Sequence, residues 1–244
     1  MVSRPWVRIM AGRVAIVCAM RQEVKSLVRG WRKVRERGLT FFESERAVVV
    51  VAGIGTAPAA MASMTLVARE QPSCLVSAGF AGALRRDLKI GDVLVPSTIV
   101  NVATGKRFTS QSPESGGTIV SGRSIAGEDR KRELREEFVA DAIEMEAAGV
   151  ASIADSCGLP FYAVKAISDE VDFPMPPMNE FVDTGGTFHA VKFGAKLLFR
   201  PSWWGPTRAL ARNSHKASME LCKALEHHIE QFSNHEQGAL KPQS

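Results

Sequence analysis

The 244-residue chain is short of the features that mark several large protein classes. No apolar run reaches the roughly 18 residues that a membrane-spanning helix needs. The stretch VAIVCAM at 14–20 runs straight into RQEVK, so it reads as a buried strand and not as the core of a secretory signal. Cysteine is sparse. Cys18, Cys74, Cys157 and Cys222 are scattered through apolar stretches, with no CxxC and no metal-ligand spacing. They read as reduced core thiols of a cytoplasmic protein. Walker A, HExxH and GxSxG motifs are missing. The first strand is followed by CAMRQE, without glycine, where a dinucleotide-binding fingerprint needs three; Gly53-Ile-Gly55 comes later and lacks a third glycine at 58. Neither a cofactor nor a metal is therefore expected. His189, His215, His227, His228 and His235 all fall late in the chain and read as solvated.

What is present is ordinary globular composition: 45% apolar and 23% charged residues, which excludes disorder, collagen and coiled coil. The net charge of +5 hints at an anionic surface or ligand. No aromatic-basic recognition motif accompanies it, so nucleic acid is not expected as a partner. Periodicity predicts a buried strand over 14–19, a helix over 21–30, a hairpin within 40–53 and a helix over 56–69. It continues with a strand over 74–79, an extended 93–102 with Pro96 at an edge or bulge, and a strand over 118–121. EDRKRELREE at 128–137 holds nine charged residues of ten and reads as a solvated helix surface. A helix over 146–157, a strand over 161–167 and helices near 186–199 and 207–231 complete the pattern. Strands alternating with helices predict a single α/β domain over 13–231, with a central mixed, mainly parallel sheet flanked by helices. Residues 1–12 are then an N-terminal extension and 232–244 a flexible tail. The Pro/Gly/Asp-rich loop at 170–187 is long enough to be a functional lid or a disordered segment.

Open α/β sheets hold ligands beyond the carboxyl ends of their strands. Met20, Arg21, Gln22 and Glu23 follow the first strand there; Phe80, Ala81 and Gly82 follow 74–79; Ser168 and Asp169 follow 161–167. AIEMEAAG sets Glu144, Met145 and Glu146 where an extended stretch meets a helix. Each alone has a mundane explanation, as a helix-dipole partner or a turn former. Together they predict a site.

Read in order, AMxxE at 19–23, AGIG at 52–55, SAGFAGAL at 77–84, LKIGDV at 88–93, VSG at 120–122, EMEA at 144–147 and AISD at 166–169 resemble the nucleoside phosphorylase superfamily. The closest branch is the methylthioadenosine/S-adenosylhomocysteine nucleosidases. The resemblance implies cleavage of a purine N-glycosidic bond through an oxocarbenium-like transition state. It implies Asp169 as the general acid on purine N7, oriented by Ser168, and Glu23 as the general base on water. Glu146 would clamp the ribose hydroxyls and Met145 would pack on the ribose, while backbone groups near Ile125 and Ala126 would read the purine edge. Met20, Phe80, Ala81 and Gly82 would line the substrate pocket. Glu144 is either a substrate neighbour or a salt-bridge partner. A homodimer is implied as well.

Some positions depart from the family. Phe80 stands where a small polar residue is usual in the phosphate turn, which argues for hydrolysis, although Arg21 and Lys165 nearby leave phosphorolysis open. Ile125 replaces an aromatic that often stacks on adenine. Segment 103–117 is shorter than usual, suggesting an opened pocket and a larger 5′ substituent. From Thr184 to Met219 there is no acidic residue, but Lys192, Lys196, Arg200, Arg208, Arg212 and Lys216 are present, with Trp203-Trp204 among them. That composition suits either a solvated face or a membrane-interface segment. With DEVDFPMPP and FVDTGGTF it resembles the hopanoid-associated branch, which implies adenosylhopane as a lipid-linked substrate and peripheral contact with the inner face of the membrane. A methylthioadenosine/S-adenosylhomocysteine nucleosidase, a purine nucleoside phosphorylase and a nucleoside-binding protein without turnover are the alternatives.

Overall fold

The computed structural model describes residues 12–111, 116–183 and 185–239, with side chains described as far as Gln231. Residues 1–11 of the expected extension and residues 240–244 of the expected tail lie outside these. β1 (Val14–Cys18) is wholly buried, as its run of β-branched residues predicts. β2 (Arg32–Glu36), β3 (Leu39–Glu43) and β4 (Ala47–Val51) follow, then α1 (Thr56–Glu70) and β5 (Cys74–Ala83). Next come β6 (Val93–Leu94), β7 (Thr98–Asn101), β8 (Arg107–Thr109), β9 (Thr118–Ser121) and α2 (Glu128–Phe138). β10 (Ala142–Glu144), α3 (Ala147–Cys157), β11 (Phe161–Asp169), α4 (Ala190–Leu198) and α5 (Trp204–Ala239) end the chain.

One mixed sheet runs β2-β3-β4-β1-β5-β10-β9-β7-β8, with β11 paired to β5 and to β6. The parallel pairs hold its centre: β1 lies between β4 and β5, and β11 lies along β5. The antiparallel β2-β3-β4 meander closes one end. Successive β1 side chains point to opposite faces, so Ala15 and Val17 join a core with Ala59, Ala62 and Leu66 of α1 and Ala148 and Ala151 of α3. Ile16 and Cys18 join another with Ala217, Leu221 and Leu225 of α5. Gly149 lets α1 and α3 approach closely, because a Cβ there would meet Thr56 O at 2.2 Å.

Several expectations change. The helix predicted over 21–30 is a 3₁₀ turn at Arg21–Val24 followed by turns. Val28 N to Val24 O is a single four-residue bond, the later Arg29 N to Ser26 O and Trp31 N to Val28 O span three residues, and Gly30 at φ +84° ends the run. β2 was not foreseen: RKVRE carries four charges, which suits an exposed edge strand. α5 continues to Ala239, past the predicted end at 231. Cys157 is exposed, unlike the other three cysteines. His228 is buried in the α5 core face, not solvated. Among the described residues no helix is long and apolar enough to cross a membrane.

Candidate active site

The carboxyl ends of β1, β5, β10 and β11 open on a cavity of about 330 Å³. All twelve residues named from the sequence for catalysis or binding line it. So do Ser124, Lys131, Met175, Met178, Phe188, Leu210 and Ser214, which sequence reading missed.

Glu23 is held from several sides. Its Oε2 accepts from Met20 N–H at 2.8 Å and its Oε1 from Phe80 N–H at 3.1 Å. Gly79 makes room, since a Cβ there would lie 2.9 Å from Glu23 Oε1. From α5, Ser218 Oγ donates to Gln22 O at 2.8 Å and to Glu23 O at 3.1 Å, fixing the turn from behind. Burial pushes the Glu23 carboxyl up, against the lowering effect of the Met20 and Phe80 N–H groups and of the Lys165 charge. A carboxylate of raised basicity inside a cavity is suited to take a proton from water.

Glu144 and Glu146 do different work. Glu144 Oε2 accepts from Glu146 N–H at 2.9 Å and Ala147 N–H at 2.8 Å, at the α3 N-terminus. The same oxygen faces Lys165 Nζ at 2.8 Å, and Oε1 takes Ser121 Oγ. Its bonds are therefore spent inside the protein. Glu146 Oε1 accepts from Gly55 N–H at 2.9 Å, and Thr56 Oγ1 donates to Met145 O at 2.9 Å, so the AGIG turn and EMEA lock together. The Glu146 carboxyl is pushed up to about 8, first by burial and next by the Glu144 charge, while Lys165 opposes the rise.

Asp169 is aimed by a bulge. Ile167 pairs with Ala81 and Asp169 with Gly82, leaving Ser168 as the extra residue on β11. Ser168 Oγ lies 2.9 Å from Asp169 Oδ1. Lys131 Nζ donates to Asp169 Oδ2 at 2.5 Å and to Glu170 O at 2.8 Å. The α2 run expected to be a solvated surface thus sends one buried ammonium into the site; Lys131 is 2% exposed. Its charged neighbours hid it, although it shares a helix face with Leu134, the other buried residue of the helix, three positions on.

The 170–188 loop forms part of the wall. Ile54 N–H donates to Gly186 O at 2.8 Å. Gly186 has φ +78°, and a Cβ there would meet Ile54 O at 2.2 Å, so the close docking requires glycine. Ile125 N–H donates to Asn179 Oδ1 at 2.8 Å, and Asn179 Nδ2 donates to Ile125 O at 3.0 Å. Both backbone groups of Ile125 are thereby occupied, which turns the purine-edge expectation to Ala126. The two cations considered for an anion are also engaged: Lys165 by Glu144, and Arg21 over the Phe42 ring at 5.4 Å. In the basic segment the tryptophans part company. Trp203 stacks on Phe193 at 6.3 Å, whereas Trp204 is exposed and its indole N–H donates to Leu197 O at 2.7 Å. Among the described residues no cluster of His, Cys, Asp or Glu could hold a metal ion.

An acid–base cavity at the carboxyl ends of a mixed α/β sheet marks an enzyme of the kind that works on a small-molecule ligand at the strand ends. A sequence model described as the phosphorylase superfamily matches residues 13–117 and 111–190, and the chain belongs to that superfamily. It is similar to the 5′-methylthioadenosine/S-adenosylhomocysteine nucleosidase of Actinobacillus succinogenes, 28% identical over 199 residues covering 66% of this chain and 86% of the relative. It is similar to the aminodeoxyfutalosine nucleosidase of Campylobacter jejuni, 24% identical over 196 residues covering 65% and 86%. Among solved structures it resembles the methylthioadenosine/S-adenosylhomocysteine nucleosidase of Colwellia psychrerythraea 34H in complex with adenine. That likeness has a TM-score of 0.68 at 20% identity and covers 91% of this chain and 96% of the other.

Proposed function

We propose that this protein is a nucleosidase that releases adenine from a 5′-modified adenosine by hydrolysis. The observation that carries the reading is one cavity lined by two separately held carboxyl groups, Glu23 and Asp169. In the reaction the C1′–N9 pair leaves with the purine while N7 takes a proton from Asp169. Water adds to C1′ and gives its proton to Glu23. Glu146 holds the ribose hydroxyls, and the positive charge that develops on the sugar favours its ionised form. Hydrolysis is favoured over phosphorolysis because Phe80 fills the turn and its N–H is already given to Glu23. The engagement of Lys165 and Arg21 elsewhere supports the same choice.

The 5′ substituent in this reading is large and apolar, with adenosylhopane as the foremost candidate. Met175, Met178, Phe188 and Leu210 on the cavity wall support it. Beyond the wall, Val191, Leu198, Phe199 and Trp204 are exposed by 87%, 72%, 84% and 54%, which is unusual clustering for large apolar side chains. Lys192 and Arg200 are exposed among them, a composition suited to an anionic membrane surface at which a lipid-linked nucleoside would be met. Met61 and Met64, exposed on α1, suit a second copy of the chain as partner. Adenine release from methylthioadenosine, followed by ultraviolet absorbance and chromatography, tests the activity. Turnover supports the reading; binding without turnover replaces it with a nucleoside-binding protein.

A further inference from the structure

Lys131 is the single cation lining the cavity among the described residues. Three elements build its place. α2 supplies the side chain, the β11 bulge turns Asp169 toward it, and β5 makes room with Gly82. A Cβ on Gly82 would lie 2.7 Å from Asp169 Oδ2 and 3.2 Å from Lys131 Cε. The neighbours of Lys131 on α2 stay outside: Arg130 pairs with Glu133, and Arg132 with Asp129. Only Lys131 is turned inward, where its ammonium reaches the Asp169 carboxylate and the Glu170 carbonyl. The remaining ionisable groups of the cavity are Glu23, Glu144 and Glu146, with Lys165 behind Glu144. The Glu170 side chain turns outward to Lys89.

This pairing sets a chemical problem. A carboxyl group that protonates a leaving purine has to carry a proton, whereas an ammonium in contact with it favours the carboxylate. We infer that Lys131 is a positioning residue that stores the proton for Asp169 and passes it over as the glycosidic bond breaks. The inference rests on the nucleosidase reading and deepens it. An Nζ–H bond of Lys131 breaks and an Oδ2–H bond of Asp169 forms. The carboxyl then donates a proton to N7 while the C1′–N9 electron pair leaves with adenine. Asp169 ends as a carboxylate and Lys131 as a neutral amine, and the proton that Glu23 took from the attacking water passes through solvent to restore the ammonium.

The test compares kcat and KM for methylthioadenosine between about pH 5 and about pH 9.5 in the wild type, Lys131→Met, Lys131→Arg and Asp169→Asn. Lys131→Met is expected to lose kcat by at least about tenfold at alkaline pH and to recover toward acid pH, where solvent protonates Asp169 directly. Lys131→Arg keeps the pair but holds its proton throughout, so kcat falls by about 10- to 100-fold at every pH with KM within about twofold. Circular dichroism checks folding; if Lys131→Met does not fold, Lys131→Arg decides alone. Full kcat in Lys131→Arg, or a pH-independent loss in Lys131→Met, overturns the inference while leaving the nucleosidase reading intact, provided Asp169→Asn is inactive. A wild type that releases no adenine overturns both.

Discussion

Glu144 Oε2 and Lys165 Nζ lie 2.8 Å apart, and both side chains are wholly out of water. Glu144 lines the cavity with Lys165 behind it, and it also accepts the first N–H groups of α3. Glu144→Gln would leave the ammonium buried without its counter-charge, at a cost of about 3–5 kcal/mol. Urea denaturation should show that loss, while kcat per folded molecule falls far less than for the other acidic residues of the site. Unchanged stability with a hundredfold drop in kcat would instead make Glu144 a substrate-contacting group.

Asp169→Asn removes the acid and Glu23→Gln the base. Each is expected to lower kcat by at least about 100-fold. Glu23→Gln should leave adenine binding nearly intact, because its role falls on the water. Steady-state kinetics with calorimetric titration of adenine separates the two effects. Near-normal turnover in either variant contradicts the assigned roles.

The pH response of stability follows from Glu146. Its carboxyl is pushed up to about 8 in the fold, so the buried group is more stable neutral. The stability it contributes is fully present below the ordinary carboxylate range and is lost as pH rises through about 8. Glu146→Gln removes that loss. The Tm of the variant relative to wild type should therefore rise between about pH 5 and about pH 9, by roughly 2–4 °C for each kcal/mol recovered. A Tm difference that stays flat across that interval contradicts a neutral buried Glu146.

Much of the site was legible because its chemistry is local in the chain. AMxxE, EMEA and AISD each place acids within a few residues of a strand end, and the strand ends converge in an α/β sheet. What was hidden came from distant contacts. Met175 and Met178 reach the cavity from a loop that docks through Gly186 on Ile54 and through Asn179 on Ile125. Ser214 and Leu210 reach it from α5, whose register on the sheet is set by packing. Lys131 lay in a run where nine of ten residues are charged, and charge alone does not say which one turns inward. Val24, Leu27 and Val28 have helical spacing, which predicts a ten-residue helix, yet one four-residue bond gives way to three-residue bonds and Gly30 ends the run.

The membrane reading predicts salt-sensitive association with anionic vesicles. Basic residues near such a surface contribute roughly 1 kcal/mol each, screened by salt. Lys196 is already paired with Glu180, which leaves Lys192 and Arg200 as the exposed cations beside the apolar group. Phe199→Ala with Trp204→Ala should abolish co-sedimentation at low salt and leave methylthioadenosine cleavage unchanged. Protein that stays in the supernatant at low salt contradicts a membrane-resident substrate.

The central claim is hydrolysis of an adenosine N-glycosidic bond by Glu23 and Asp169. Its most direct test is product analysis with methylthioadenosine in buffer free of phosphate, before and after phosphate is added. Free adenine and a reducing sugar should appear at the same rate in both, and Asp169→Asn should remove the signal. Turnover that requires phosphate and yields a sugar 1-phosphate would contradict the account.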